Sequence, residues 1–402
     1  MAEIFIYDHV RTPRGKGRKS GALHTVRPID LMAQVLRATT DRTGVDSAAI
    51  EDVVVGCVTQ VGEQGACIAR FAALEAGYDE GVAGVTTNRF CASGLEAVHQ
   101  AAARVGAGWV DLIVAGGVES MSRVAMGSDG GAIFEARAIL GLGSVPQGIS
   151  ADLLATLRGF GRADVDAFAA ESQKRAGAAV EAGAFARSVV PVLDDNGLTV
   201  LDHDEHVRAD TTPDGLAGLT PSFEAMGTMF GLDTLTKERY PQVAAINHVH
   251  TAGNSSGIVD GAAAVLLGSK KAGETHGLTA RAKIRAMTVV ADEPVLMLTG
   301  PLPATRRVLN MAGMEIGDID LFEVNEAFAA VPMTYMEEFG VGHERVNVHG
   351  GSIALGHPLG ATGAMLLGTL VDAMEDHDKE TGLVTLCVGG GMGIAAIVER
   401  TA

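Results

Sequence analysis

Residues 86–108 read TTNRFCASGLEAVHQAAARVGAG. A short polar run leads into Cys91, the small residues Ala92, Ser93 and Gly94 follow, and Leu95, Ala97 and Val98 begin an apolar pattern at helical spacing. A cysteine at such a junction sits where unpaired backbone N–H groups and the positive end of a helix dipole favour a thiolate. Its small neighbours leave room for a substrate. Free cysteines are more often small buried hydrophobes, so the rest of the chain must decide between the two readings.

Upstream, residues 3–8 (EIFIYD) read as a strand and RTPRGKGRKSGAL as a basic, glycine-punctuated loop. Residues 27–44 (RPIDLMAQVLRATTDRTG) have apolar positions at helical spacing and a glycine stop signal. EDVVVGCV is a strand ending at Cys57, CIARFAALEAG a helix and GVAGVTT a further strand; beyond the Cys91 helix, VDLIVAGG is the strand that closes the unit. This alternation predicts a largely parallel sheet with helices on its faces.

From 121 to 256 the texture changes. Polar, glycine-rich stretches surround one helix, RADVDAFAAESQKRAGAAVEAG, and a hairpin, VVPVLDDNGLTVLD, turning at Asp195, Asn196 and Gly197. EAMGTMFGLDTLTKERYPQVAA reads as a second loop. Loops this long are usually functional, so the block is expected to be an insertion that covers a site.

The alternation then resumes. GAAAVLLGS and ARAKIRAMTVVAD are strands, TRRVLNMAGM a helix, IDLFEV a strand and NEAFAAVPMTYMEEFG a helix opened by Asn325. VNVHGGSIALGHPLGATG is a glycine-rich loop before the helix AMLLGTLVDAMED, and GLVTLCVGGGMGIAAIVE closes as two strands joined by a glycine turn. The halves echo one another: a loop bearing Cys91 or His357 feeds a helix and then a strand. Duplicated α/β halves face such loops toward a shared crevice. The expected division is 1–120 plus 257–279 as one half, 121–256 as the insertion and 280–402 as the other half.

Bulk properties narrow the classes. The 402 residues are 47% hydrophobic but 4% aromatic, so a sizeable core is built from small and aliphatic side chains, and 52 glycines imply close backbone approaches. A net charge of −18 argues against nucleic acid or an anionic membrane as the main partner. Four cysteines without C-x-x-C spacing are neither a disulfide framework nor a structural zinc site. No apolar stretch of signal-peptide or membrane-span length is present, so a cytoplasmic protein is expected.

Four stretches remain: NRFCASG at Cys91, VNEAFA at Asn325, GGSIALGHPLGATG at His357 and CVGGGMG at Cys387. With RTPRGKG, VAGGVESMS, QGISAD and TAGNSSGIVDGAAAVLL, in that family's order over nearly the whole chain, they closely resemble the thiolases. The resemblance implies an α/β thiolase fold: two duplicated βαβαβαββ halves stacked as five α/β/α/β/α layers, with an inserted loop domain. It implies cleavage of a 3-ketoacyl-CoA by CoA, through covalent steps easier than direct attack. Cys91 is then the acylated nucleophile and His357, restrained between Gly356 and Pro358, its base. His357 and a water on Asn325 stabilise the enolate oxygen. Cys387 is the general acid and base, its unperturbed pKa of about 8.5 lying near working pH. Backbone N–H groups of Cys91 and Gly389 form a second oxyanion site. Arg208, Phe223, Ala252 and Ser256 align with CoA-contacting positions; the alternative for Arg208 is a solvated surface side chain. Cys57 and Cys67 are taken as structural. CoA enters as a substrate, and no permanently bound cofactor or metal is expected. Thiolases form dimers, often tetramers, and a hydratase/dehydrogenase subunit is the partner enzyme this resemblance brings into question.

Three positions depart from the pattern. His349 stands where thiolases often have Asn, Gln147 where many short-chain members have Met, and the link from Phe223 to the TAGN motif is longer than usual. The long link and Gln147 favour a degradative 3-ketoacyl-CoA thiolase of fatty-acid β-oxidation over a biosynthetic acetoacetyl-CoA thiolase. Cys387 argues against a ketoacyl synthase of the same fold, and the intact set of four residues against a purely scaffolding homologue.

Overall fold

The computed structural model describes residues 3–401. In chain order the first half comprises β1 (Phe5–Arg11), β2 (Gly15–Lys16), α1 (Pro28–Thr43), β3 (Asp52–Gly56), α2 (Ile68–Glu75), β4 (Ala83–Thr87), α3 (Ser93–Gly106) and β5 (Leu112–Ser120). Then come α4 (Ala136–Leu142), α5 (Gln147–Arg158), α6 (Arg162–Glu181), β6 (Val192–Leu193), β7 (Thr199–Leu201), α7 (Pro213–Ala217), α8 (Glu224–Met229) and α9 (Leu232–Arg239). The remainder is β8 (Val259–Gly268), α10 (Lys270–His276), β9 (Ala282–Ala291), α11 (Pro301–Ala312), β10 (Leu321–Val324), α12 (Ala330–Phe339), α13 (Ser352–Leu355), α14 (Leu359–Asp376), β11 (Thr381–Val388) and β12 (Met392–Arg400).

The large sheet runs β10-β11-β12-β9-β1-β8-β5-β3-β4, with β2 added to β8. It is mixed rather than largely parallel. Only β4–β3–β5 and β10–β11 pair in parallel; β5, β8, β1, β9, β12 and β11 are joined antiparallel. The reason is topological: β12 turns straight back on β11, and β8 returns from the insertion alongside β5 in the opposite direction, so neither pair is the βαβ crossover that makes neighbours parallel.

The duplication is visible in the pairing. In each half an α/β unit supplies parallel strands, a long strand folds back antiparallel, and the half's first strand lies outside it. The second-half counterpart of β4 is reduced to one parallel bridge between Phe322 and Val346. The halves meet at two residue pairs, Phe5 with Lys283 and Ile6 with Ala282. Helices α3 and α14 lie between the two sheet halves: Leu95, Val98 and Ala102 share one apolar cluster with Leu367, Leu370, Val384 and Ile394. Helices α1 and α2 cover the outer face of the first half and α11 that of the second. This gives the five layers of a thiolase fold.

Close approach of α3 and α14 requires missing side chains. A Cβ on Gly117 would stand 1.9 Å from the Gly360 carbonyl oxygen, and one on Gly94 2.8 Å from that same oxygen. No real Cβ fits there, so glycine at these positions lets the two helix starts and β5 touch. The helix after His357 accordingly begins at Leu359, inside the segment read as a glycine-rich loop.

The insertion is more helical than expected. Besides the expected α6, it holds α4, α5, α7, α8 and α9, and the segment 224–239, read as a loop, is mostly two short helices. Leu232 and Leu235 bury against Val145, Ile149 and Leu153, tertiary contacts that override weak local propensity. A polar clamp secures this packing. Both nitrogens of His248 face carboxylates, Nδ1 to Asp152 at 2.7 Å and Nε2 to Asp233 at 3.1 Å. Both must therefore donate, and His248 is held as the imidazolium. Its pKa is raised to about 9, chiefly by the hydrogen bond to Asp152. Because the folded value lies above the unfolded one of about 6.5, the clamp's contribution is full below about pH 6.5 and is lost as pH rises through about 9. Thermal melts of the protein and of H248Q from pH 6 to 10 are expected to differ most at the acid end and to converge above pH 9.

Candidate active site

Cys91 lies just ahead of α3, is buried, and follows Phe90, which takes a positive φ of 46°. The unpaired helix N–H groups expected beside it are already used: the Ala92 amide donates to Arg89 O and the Ser93 amide to Phe90 O. The donors facing the sulfur are instead the backbone N–H groups of Cys91 itself and Gly389, with the side-chain amide of Gln147 at 4.0 Å. Burial outweighs them and pushes the thiol up to about 11.

His357 Nδ1 lies 2.5 Å from Thr362 Oγ1. That hydroxyl donates to Pro358 O at 2.9 Å, so it accepts from Nδ1–H, and Nε2 carries the lone pair. Nε2 faces Asn325 Nδ2 at 3.4 Å. Ser352 Oγ donates to Asn325 Oδ1 at 2.7 Å and so fixes the orientation of that amide. The His357 amide donates to Gly257 O at 2.9 Å, tying the loop to the start of β8. Burial and, next, the Arg14 guanidinium lower the His357 pKa to about 3. The imidazole is therefore neutral at rest, with Nε2 unprotonated.

Asn325 does not open a helix, as its position in the sequence suggested. It follows β10 directly, five residues ahead of α12, and its amide N–H donates to Thr385 O. With no helix to cap, its side chain is free to face His357. Cys387 is the penultimate residue of β11, opposite Gly393 of β12, and is fully buried. Burial and the adjacent Cys91 push its thiol well up. Gly390 and Gly391 take positive φ and form the turn beyond it, which leaves the Gly389 N–H aimed at Cys91. Among the described residues no hydrogen bond joins Cys91 to His357. The helices that follow them, α3 and α14, pack against each other, and Leu359, two residues beyond His357, shares an apolar cluster with Cys91.

Of the four expected CoA contacts, Arg208 and Ala252 are exposed, while Phe223 and Ser256 are half-buried. The Ser256 amide donates to Ala327 O at 3.0 Å, and Phe223 stands edge-on to Phe328 at 5.9 Å, so both border the Asn325 loop. The Arg208 side chain makes no hydrogen bond or ion pair among the described residues. Cys57 is buried and Cys67 exposed. His349 packs near Phe185 and His377 and does not reach Asn325.

Several residues at the site carried little signal in the sequence. Thr362, five residues beyond His357, sets the tautomer. Glu119 at the end of β5 is buried and accepts from the amides of Val58, Thr59 and Gly360 and from Gln64, stitching the α14 start to the Cys57 loop. Arg14, within RTPRGKG, is fully buried with its Nη1 3.8 Å from Asp204. A polar residue four or five places after the motif histidine and a charge inside an apolar-flanked loop were the available clues. No three His, Cys, Asp or Glu side chains are placed to hold a metal among the described residues, and no described helix is long and apolar enough to cross a membrane.

The models of two families match the chain, "Thiolase, N-terminal domain" over residues 4–234 and "Thiolase, C-terminal domain" over residues 278–400. The chain belongs to the thiolase family. This thiolase is 42% identical to the β-ketoadipyl-CoA thiolase of Pseudomonas aeruginosa, with 99% of each chain covered. It is 42% identical to a 3-ketoacyl-CoA thiolase of Aeromonas hydrophila over the full length of both. It also resembles the crystal structure of the Bacillus anthracis acetyl-CoA acetyltransferase, with a TM-score of 0.85 and 33% identity, covering 100% of this chain and 99% of that one. It is an acyltransferase by family.

Replacing Thr362 by Val removes the acceptor for Nδ1–H, and thiolase kcat/KM is expected to fall about 10- to 100-fold, the usual cost of losing a partner that orients a functional histidine. T362S should retain most activity in the same steady-state assay.

Proposed function

We propose that this thiolase cleaves 3-ketoacyl-CoA with CoA, giving acetyl-CoA and a shortened acyl-CoA through an acyl-Cys91 intermediate. The observation that carries the reading is a buried pair of neighbouring thiols, Cys91 and Cys387, with Leu359 packed on Cys91 two residues beyond an imidazole whose unprotonated Nε2 faces only Asn325. Cys91 gives its proton to His357 Nε2, and the sulfur attacks the 3-keto carbon. The oxyanion formed there accepts from the N–H groups of Cys91 and Gly389, a type of donor worth about 2.7–4 kcal/mol when removed. The bond between C2 and C3 breaks, and its electron pair becomes the enolate of acetyl-CoA, whose oxygen faces His357 Nε2–H and Asn325, with a water held there. Cys387 protonates C2. In the second half Cys387, now a thiolate, takes the proton of CoA, whose sulfur attacks acyl-Cys91. Cys91 leaves and recovers its proton from His357, so every group ends as it began. A buried site suits this relay, because the neutral resting state carries no ionised group at the reacting centre.

In this reading CoA lies along the wall made by Arg208, Phe223, Ala252 and Ser256, and the segment 121–256 is the covering domain between a half at 1–120 plus 257–279 and a half at 280–402. The work is degradative, in fatty-acid β-oxidation or in breakdown of a 3-keto dicarboxylyl-CoA; the relatives named β-ketoadipyl-CoA thiolase support the latter. A four-carbon, biosynthetic reading is supported by the likeness to the acetyl-CoA acetyltransferase. Self-association into a dimer or tetramer belongs to the proposal too. β4 is an open sheet edge, and Met126, Phe134, Leu140 and Leu142 expose apolar surface.

Thiolysis rates with 3-ketoadipyl-CoA, 3-ketooctanoyl-CoA and acetoacetyl-CoA separate these readings. A kcat/KM at least about 10-fold higher for one of the longer substrates is expected. Turnover confined to acetoacetyl-CoA would replace the degradative reading by the biosynthetic one.

A further inference from the structure

Gln147 is the first residue of α5, yet its side chain does not serve that helix. Pro146 stands at the cap position, no side chain caps the first turn, and the amides of Ile149 and Ser150 return to Pro146 O. The side chain is half-buried and, among the described residues, makes a single hydrogen bond, from Nε2 to the Cys91 sulfur at 4.0 Å. On its other side Nε2 would lie 3.6 Å from a Cβ built on Gly389, the residue whose backbone N–H faces that sulfur. Phe223 packs so tightly over Gly148 that a Cβ there would meet its ring at 2.2 Å, which fixes the start of α5 in front of the sulfur. Two backbone donors and one side-chain donor thus converge on one atom, and the side-chain donor has no other partner to satisfy.

We propose that Gln147 is a catalytic residue of this thiolase, its amide N–H donating to the Cys91 sulfur and sharing the negative charge that the sulfur carries. The inference rests on the reading of Cys91 as nucleophile. The charge appears twice in that cycle, when His357 takes the thiol proton and when the sulfur leaves the acyl group. A hydrogen bond to a charged sulfur is worth more than one to the neutral thiol, so Gln147 favours ionisation and departure over the resting thiol. The site needs such help: burial opposes the thiolate, and the Gln147 hydrogen bond offsets burial more than either backbone donor does.

The test reads the sulfur directly and does not depend on turnover. Alkylation of Cys91 by iodoacetamide is followed by peptide mass spectrometry from pH 7 to 11 in the protein, in Q147M, which keeps size without a donor, and in Q147E, which sets a carboxylate beside the sulfur. Between pH 8 and 10, below the thiol's own value of about 11, alkylation is expected to be roughly tenfold slower in Q147M than in the protein at the same pH, and slower still in Q147E. Thiolysis by Q147M should lose about tenfold in kcat with KM little changed. Superimposed alkylation profiles for the protein and both variants would overturn the proposal. Failure of the nucleophile assignment is read separately: C91S would then keep thiolase activity, whatever the profiles do.

Discussion

The site depends on a backbone contact between the starts of α3 and α14. Each half of the duplicated fold delivers one residue of the proposed site at the beginning of a central helix: Cys91 ahead of α3 and His357 ahead of α14. Ordinary helices pack with axes 8–10 Å apart because side chains separate them. Here Gly94, Gly117 and Gly360 remove those side chains where the helix starts and β5 cross, and the Gly360 carbonyl occupies the space a Cβ would take. Glu119 closes the arrangement by accepting the Gly360 amide together with the amides of Val58 and Thr59. The contact leaves no room for a side chain and, with the Glu119 hydrogen bonds, fixes how the two loops sit.

Dryness sets the chemistry. The thiols of Cys91 and Cys387 are both raised and the imidazole of His357 is lowered by burial. Any one of these groups charged alone would be costly in such a place. Charge is tolerable only where fixed donors await it, and they are in place: the amides of Cys91 and Gly389 and the Gln147 side chain around one sulfur, and Asn325 beside the His357 ring. Among the described residues Thr362 and Ser352 make no hydrogen bond to the sulfur atoms, but they decide which nitrogen of His357 and which atom of Asn325 faces inward.

Much of this was legible in the sequence because it is local. The αL glycine ending α1 at Gly44, the strand EDVVVGCV and the hairpin at Gly197 follow from propensity and turn chemistry over a few residues. The stretches around Cys91, Asn325, His357 and Cys387 carried the family resemblance. What was misread depends on distant partners. Strand direction was misread because antiparallel pairing of β1 with β8 and of β9 with β12 joins segments far apart in the chain. The helicity of 224–239 was missed because it rests on burial of Leu232 and Leu235 against α5 and on the His248 clamp. Asn325 looked like a helix cap because the distance to α12 is set by the bridge from Ser255 to Phe328, which interrupts the apparent helix. Arg14 was invisible as a buried charge because its burial comes from the insertion's Asp204 loop closing over it.

The central claim is that Cys91 holds the acyl group while Cys387 moves the proton. Incubating the protein with a 3-ketoacyl-CoA in the absence of free CoA, then quenching in acid and mapping peptides by mass spectrometry, tests it directly. The account predicts the mass of the shortened acyl group on the peptide containing Cys91 and none on that containing Cys387. Acyl mass on Cys387, or turnover with neither cysteine modified, would contradict it.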